Sequence, residues 1–193
     1  MKIYDISQEV FSCAVYPGDP KPTCQNLSNM EKGDLYNLTA FSMCAHNGTH
    51  IDAPFHFLPQ GKTVDKLDLH SFVGDCYVAR CSGDLTAADA TAILKKAFGV
   101  QRLLLAGNTT VTVQAAEVFA QAGLCLLGNE SQTVGPENAP MQVHKILLSA
   151  NVALLEGIVL KDIPEGVYFL SAAPLNLAGA DGAPCRAYLI EKG

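Results

Sequence analysis

Between residues 46 and 56 the chain places His46, His50, Asp52 and His56, three of its five histidines and a carboxylate, at offsets 0, 4, 6 and 10. Imidazole nitrogens and carboxylate oxygens are the ligands that borderline divalent metals take. An ion held there could polarise a carbonyl and lower the pKa of a water from about 15.7 toward about 7, making a nucleophile at neutral pH. The full segment reads Ala45-His46-Asn47-Gly48-Thr49-His50-Ile51-Asp52-Ala53-Pro54-Phe55-His56-Phe57. A run of satisfied histidines on a strand would use the same residues without a metal. The density of so scarce a residue type argues for the metal.

Spacing constrains the geometry. Gly48, Thr49, Ile51 and Pro54 are poor helix-interior residues. On a strand, alternation puts His46, His50 and Asp52 on one face. A straight strand would hold His46 and His50 roughly 13 Å apart, too far to share an ion at ligand distances of about 2.0–2.2 Å. The chain must therefore fold over, and Gly48 suits a bulge or kink. Pro54 ends the ladder and turns the chain, returning His56 toward the site. Cys44 shares the parity of His46 and reads as packing beside the site rather than as a ligand.

Two distant residues could complete such a site. Glu156 sits in Val152-Ala153-Leu154-Leu155-Glu156-Gly157-Ile158. A carboxylate in so apolar a run is costly to bury unless it is paired or ligates a metal; the alternative is a strand-end glutamate facing water. His144 falls in the first half of a helical pattern, where a surface or capping histidine is the alternative. His70 has no ligand-spaced neighbour and reads as structural. Phe41, Phe55 and Phe57 could wall an aryl pocket, but at least two of them are expected in the core.

These residues need a scaffold, and 193 residues suit one domain spanning 1–193. Apolar residues are 49% and charged residues 17% of the chain, the balance of a folded domain with some surface buried in an oligomer. A net charge of −6 argues against nucleic acid as a partner. No stretch reaches the ~20 apolar residues of a membrane span. The start, Met1-Lys2-Ile3-Tyr4-Asp5-Ile6, lacks the apolar run of a signal peptide, so the cytoplasm is expected. Seven cysteines without framework spacing read as reduced thiols.

The pattern predicts one or two strands over 1–16, a turn at Pro17–Pro20, and a strand over 35–45 leading into the histidines. A turn follows at Pro59–Lys62, then a strand over 73–81. Helical periodicity then begins. Thr86 with Asp89 forms a capping box, Ala90, Ile93, Leu94 and Ala97 share a face, and Gly99 stops the helix. Leu103–Ala106 is a buried strand. A second helix starts at Thr112, with Ala115, Val118, Phe119 and Ala122 inward, and ends at Gly123. Leu124–Leu127 is a strand. A third helix, about 139–150, would bury Val143, Ile146, Leu147 and Ala150. Strands at 152–159, 166–172 and 185–191 complete a partly parallel sheet. The fold class is α+β: mixed β/α, with a mixed sheet, three main helices and an extra β layer.

The segment His46-x-Gly48-Thr49-His50-x-Asp52-x-Pro54-x-His56-Phe57 resembles the signature of the metal-dependent cyclase family, which includes bacterial kynurenine formamidases and isatin hydrolases. His144 and Glu156, twelve residues apart, are similar to that family's second ligand pair. Ala173–Asn176 and Asp181–Ala187 resemble its closing strands. The resemblance implies a swivelling β/β/α-type fold, a homodimer or higher homo-oligomer, a small-molecule substrate, and one or two divalent ions, zinc or manganese. It implies that His46, His50 and Asp52 hold a first ion and that Asp52, His144 and Glu156 hold a second. His56 is then a ligand or a catalytic proton shuttle. Two stretches depart from the family pattern, Ala106-Gly107-Asn108 and Gly128-Asn129-Glu130-Ser131, and the resemblance implies that both border the substrate pocket.

Three functions fit these residues. The first is a metal-dependent hydrolase of an amide, formamide or lactam C–N bond, arylformamidase-like toward N-formylkynurenine. The second is a metal-dependent cyclase or dehydratase, a lyase. The third is a structural metal site, disfavoured because such sites usually hold four ligands, often cysteines. No Gly-x-Ser-x-Gly nucleophile elbow is present, which disfavours a serine formamidase.

Overall fold

A computed structural model describes residues 1–191. Its centre is a nine-stranded mixed sheet in the order β1-β13-β11-β5-β7-β9-β10-β4-β12. The strands are β1 (Lys2–Asp5), β4 (His50–Asp52), β5 (Val73–Arg80), β7 (Arg102–Ala106), β9 (Leu126–Asn129), β10 (Ala153–Glu156), β11 (Gly166–Ser171), β12 (Gly182–Pro184) and β13 (Tyr188–Glu191). The run β5-β7-β9-β10 is parallel and the flanks are antiparallel. The parallel strands carry the apolar runs Leu103–Leu105, Leu126–Leu127 and Ala153–Leu155, as expected for strands covered on both faces. Two further strands, β6 (Gly83–Leu85) and β8 (Thr109–Val111), pair beside the helices.

Three helices pack on one face: α1 (Ala87–Lys96), α2 (Val113–Gln121) and α3 (Met141–Ser149). Thr86 and Asp89 form the expected reciprocal box, and Thr112 Oγ1 accepts from the Ala115 N–H. The helices cover Leu103, Leu105, Leu127 and Leu154. On the other face the sheet curls around a second core containing Ile51, Leu104, Leu155, Leu170 and Leu189. The curl brings the residue after β1 against the segment after β10: the Val159 N–H donates to the Ile6 carbonyl, while the Ile6 N–H extends the β1–β13 pairing by donating to the Ala187 carbonyl.

Several expectations shift. Of the one or two strands expected over 1–16, one forms, followed by a short 3-10 turn at Val10–Ser12. The strand expected over 35–45 is confined to β3 (Leu38–Ser42), which pairs with the unforeseen β2 (Thr23–Ser28) in a separate hairpin. α3 buries Val143, His144, Leu147 and Leu148, while Ala150 is exposed and Ile146 half-buried. Its inward face is rotated because His144 belongs to it. Phe41 and Phe55 are exposed; only Phe57 packs against the helix-side core. The hairpin lacks a core of its own and exposes Leu27, Met30, Leu35, Tyr36, Leu38 and Phe41. No helix among the described residues is long and apolar enough to cross a membrane.

Candidate metal centre

Strand alternation sets the site's polarity. In the β4–β10 register Glu156 lies opposite His50 and Leu154 opposite Asp52. Ile51, Ala153 and Leu155 point into the curled core, so His50, Asp52 and Glu156 point with Leu154 toward the helices. α3 lies there and presents His144. Glu156 is 2% exposed and not at a water-facing strand end. Four ionisable side chains, His50, Asp52, His144 and Glu156, thus meet almost wholly out of water.

The kink lies just upstream of β4. His46 occupies a turn rather than the strand: the Asn47 N–H donates to the Cys44 carbonyl, and Asn47 Oδ1 accepts from the Cys44 N–H at 2.8 Å. Gly48 has φ of +64°, and a Cβ there would fall 2.9 Å from Cys13 Cβ, so only glycine fits. Reversal at Gly48 brings the His46 and His50 ring centroids to 5.1 Å. Pro54 ends β4 and opens a 3-10 turn at Pro54–His56, which stacks His56 on His46 at 4.0 Å.

The contacts converge on Asp52. Its Oδ1 is 2.7 Å from His46 Nδ1 and 3.3 Å from His50 Nε2. Its Oδ2 lies 3.5 Å from His144 Nε2 and is buried without a hydrogen bond. Glu156 is 3.2 Å from His144 Nε2 through Oε1 and 3.7 Å from His50 Nε2 through Oε2. Oε1 also accepts from the Val134 N–H at 2.7 Å. One nitrogen or oxygen from each of His46, Asp52 and His56 lies within 4.8 Å of the others, and the same holds for His50, Asp52 and Glu156. Both groups contain Asp52. They divide the histidines differently from the expected split, because the fold sets His56 beside His46.

The donor set suits a divalent cation. His50 Nδ1 lies 2.9 Å from the Gly48 carbonyl, and His144 Nδ1 lies 2.9 Å from that of Pro140. An Nδ1–H bond to a backbone carbonyl fixes the ring of a metal-ligating histidine and leaves Nε2 facing the ion. The orphaned Asp52 oxygen, Oδ2, lies beside His144 Nε2, and its partner Oδ1 beside His50 Nε2. All six donors are nitrogen or carboxylate oxygen; Cys44 has only a long 3.9 Å sulfur contact to Asp19. The seven cysteines are free thiols.

Asp181 was not foreseen. Its Oδ2 is 2.9 Å from His46 Nε2 and 3.2 Å from His56 Nδ1. The residue after it, Gly182 of β12, pairs with Asp52; a Cβ there would lie 2.7 Å from His46 Cε1. The cue in the sequence was the Asp181-Gly182 pair, whose aspartate and space-making glycine carry no ligand spacing. His70 is exposed and away from the site. Around the cluster lies a cavity of about 400 Å³ lined by Tyr16, Phe57, Gln132 and Thr133 among others. A larger groove of about 530 Å³ holds none of the histidines.

Protonation follows from the carboxylates. Burial opposes charge on His46, but Asp52 and then Asp181 outweigh it and raise its pKa to about 9. Burial likewise opposes charge on His144, which Asp52 and Glu156 raise to about 10. Both values exceed the ordinary ~6.5. In the metal-free chain the stabilisation from these pairs is therefore complete below about 6.5 and lost as pH rises through about 9 and 10. A cation taking either ring as a ligand at neutral pH would therefore compete with a proton. Calorimetric titration of zinc in buffers of different ionisation enthalpy is expected to show proton release at pH 7, with affinity falling as pH falls. Proton-free binding at pH 7 would contradict this assignment.

The Cyclase family model, described as "Putative cyclase", matches residues 4–102. The chain is 34% identical to a kynurenine formamidase of Salinibacter ruber, covering 98% of this chain and 97% of the relative. It is 31% identical to a kynurenine formamidase of Erythrobacter litoralis, covering 98% and 94%. Among solved structures, a predicted metal-dependent hydrolase from Bacillus stearothermophilus is 30% identical, with a TM-score of 0.80 over 97% of each chain.

Proposed function

The chain belongs to the cyclase family, and on that premise we propose that it is an arylformamidase-like hydrolase, cleaving the C–N bond of a small aryl formamide such as N-formylkynurenine. The observation that carries this reading is the buried meeting of His50, Asp52, His144 and Glu156. The near-full-length likeness to two kynurenine formamidases supports the choice of bond.

His46, His50, Asp52, His144 and Glu156 would hold one or two zinc or manganese ions. When bound, such an ion supplies a Lewis acid for the carbonyl and acidifies water toward neutrality. The chain's own groups then manage the proton. His56 Nδ1 is engaged by Asp181, which fixes the ring and leaves Nε2 to take a proton from the attacking water. As the C–N bond breaks, Nε2 returns that proton to the amine nitrogen, leaving formate and an arylamine. Burial, then the positive charge of His46, hold the His56 pKa below its ordinary value despite Asp52 and Asp181. That direction favours the unprotonated ring that a base must have.

The deciding experiment is turnover of N-formylkynurenine, simpler aryl formamides and isatin by protein reconstituted with zinc or manganese, run in ¹⁸O-labelled water. Label in the carboxylate product of a formamide supports this reading. Turnover without label would favour the lyase alternative, and no turnover of any amide would sink the hydrolase.

A homo-oligomer completes the proposal, supported by the apolar β2–β3 hairpin. An isolated two-stranded hairpin is marginal in water, and Leu35 at 93% exposure needs cover. Leu35→Ser combined with Phe41→Ser is expected to shift the mass measured by light scattering toward a monomer. An unchanged mass would place the interface elsewhere.

A further inference from the structure

We infer that Gln132 and Thr133 form the polar wall that reads the amide group of the substrate, with Gln132 Oε1 accepting from the amide N–H. The inference rests on the amidohydrolase reading and adds to it a recognition element outside the ligand cluster. Both residues line the cavity that holds the histidines. Both amide atoms of Gln132 and the Thr133 hydroxyl are buried without a hydrogen-bond partner. Leaving a buried polar atom unpaired costs about 1–3 kcal/mol. Three on two consecutive residues make sense if a bound molecule supplies their partners.

The neighbourhood ties this wall to the proposed ligand segments. The Val134 N–H, next in sequence, binds Glu156 Oε1 at 2.7 Å, which pins this wall to the carboxylate. The Thr133 carbonyl is held from behind by Asn129 Nδ2 at 3.0 Å. Gln132 Nε2 packs over Gly157, where a Cβ would collide with it and with the Gly48 carbonyl. Gly157 directly follows Glu156, and the Gly48 carbonyl is the one that orients His50. The amide of Gln132 therefore sits against both ligand-bearing segments. A carboxamide offers one acceptor and two donors, the complement of a substrate with a carbonyl and an N–H. It suits an ester less well, because an ester lacks the N–H.

The test is equilibrium binding to metal-loaded protein, by calorimetry, of oxindole and of N-methyloxindole, which differ in the N–H. Wild-type protein is expected to prefer oxindole by at least about tenfold, the scale of one hydrogen bond in a buried site. In Gln132→Met the preference should fall to within about twofold, with metal content by elemental analysis unchanged. Gln132→Glu keeps the acceptor and should keep the preference, which covers the case in which the methionine variant folds poorly. Thr133→Val should weaken both probes together. Equal binding or no binding of the two probes by wild type, or a preference that survives in Gln132→Met, overturns the inference. Formanilide turnover is measured alongside: its absence in wild type counts against the hydrolase reading, whereas its presence with an unmoved lactam preference counts against the role of Gln132.

Discussion

Asp52→Ala is expected to remove metal binding and turnover together. Asp52 is 1% exposed, reaches His46 and His50 through Oδ1, and has Oδ2 facing His144. It is the member common to both potential ligand groups, so its loss damages either ion position. Loss of a residue that merely orients a ligand costs about 10–100-fold in metal affinity or activity, and a shared ligand should exceed that range. The variant also strips His46, His50 and His144 of the carboxylate that favours their charged forms. Their pKa values should fall, so less proton release should accompany any residual metal binding at pH 7. Asp52→Asn separates charge from volume: it keeps the packing and removes the anion, and it should behave like the alanine variant for metal while melting closer to wild type. Elemental analysis and calorimetric titration check both variants. Wild-type metal content in either would end the case for Asp52 as the shared ligand.

Much of this site was legible because it is local. His46, His50, Asp52 and His56 are close in sequence, and the argument that a straight strand would separate them demanded a reversal. Gly48 and Pro54 were the residues able to make it. The reversal is sharper than a kinked strand: β4 keeps only His50–Asp52, and His46 stands in the preceding turn. Glu156 was visible as a charge that an apolar strand could not hide cheaply. Which way it pointed was not visible, because that depends on the β4–β10 register, a pairing across about a hundred residues of chain that periodicity does not encode. The same limit explains Asp181. It reaches His46 and His56 only because β12 pairs with β4, and a three-residue strand of Gly, Ala and Pro leaves almost no pattern to read. The helices were the clearest elements, since caps and 3.6-residue periodicity are local. Even so, the inward face of α3 differs from the expected Val143, Ile146, Leu147 and Ala150: His144 and Leu148 take the places of Ile146 and Ala150 among its buried residues.

His56→Ala is expected to separate two roles that the geometry leaves in competition. His56 belongs with His46 and Asp52 in a potential ligand group, yet its Nδ1 contacts Asp181, as in a histidine base held by a carboxylate. It is also more exposed than His50 or His144, with 27% of its side chain open to solvent. A proton carrier must meet substrate, whereas a pure ligand gains from being sealed in. If His56 carries the proton, its removal should lower kcat by about 10²–10⁴-fold and leave metal content near wild type. The pH profile supplies an independent reading. A histidine base works unprotonated, so wild-type turnover should fall as the pH drops through the His56 pKa, which burial holds below its ordinary value. That acid limb should be missing from the alanine variant's residual activity. Asp181→Asn should move the limb to lower pH while retaining metal, because it weakens the carboxylate that favours the imidazolium. Loss of metal in step with activity in His56→Ala would instead make His56 a ligand and assign the proton to another group.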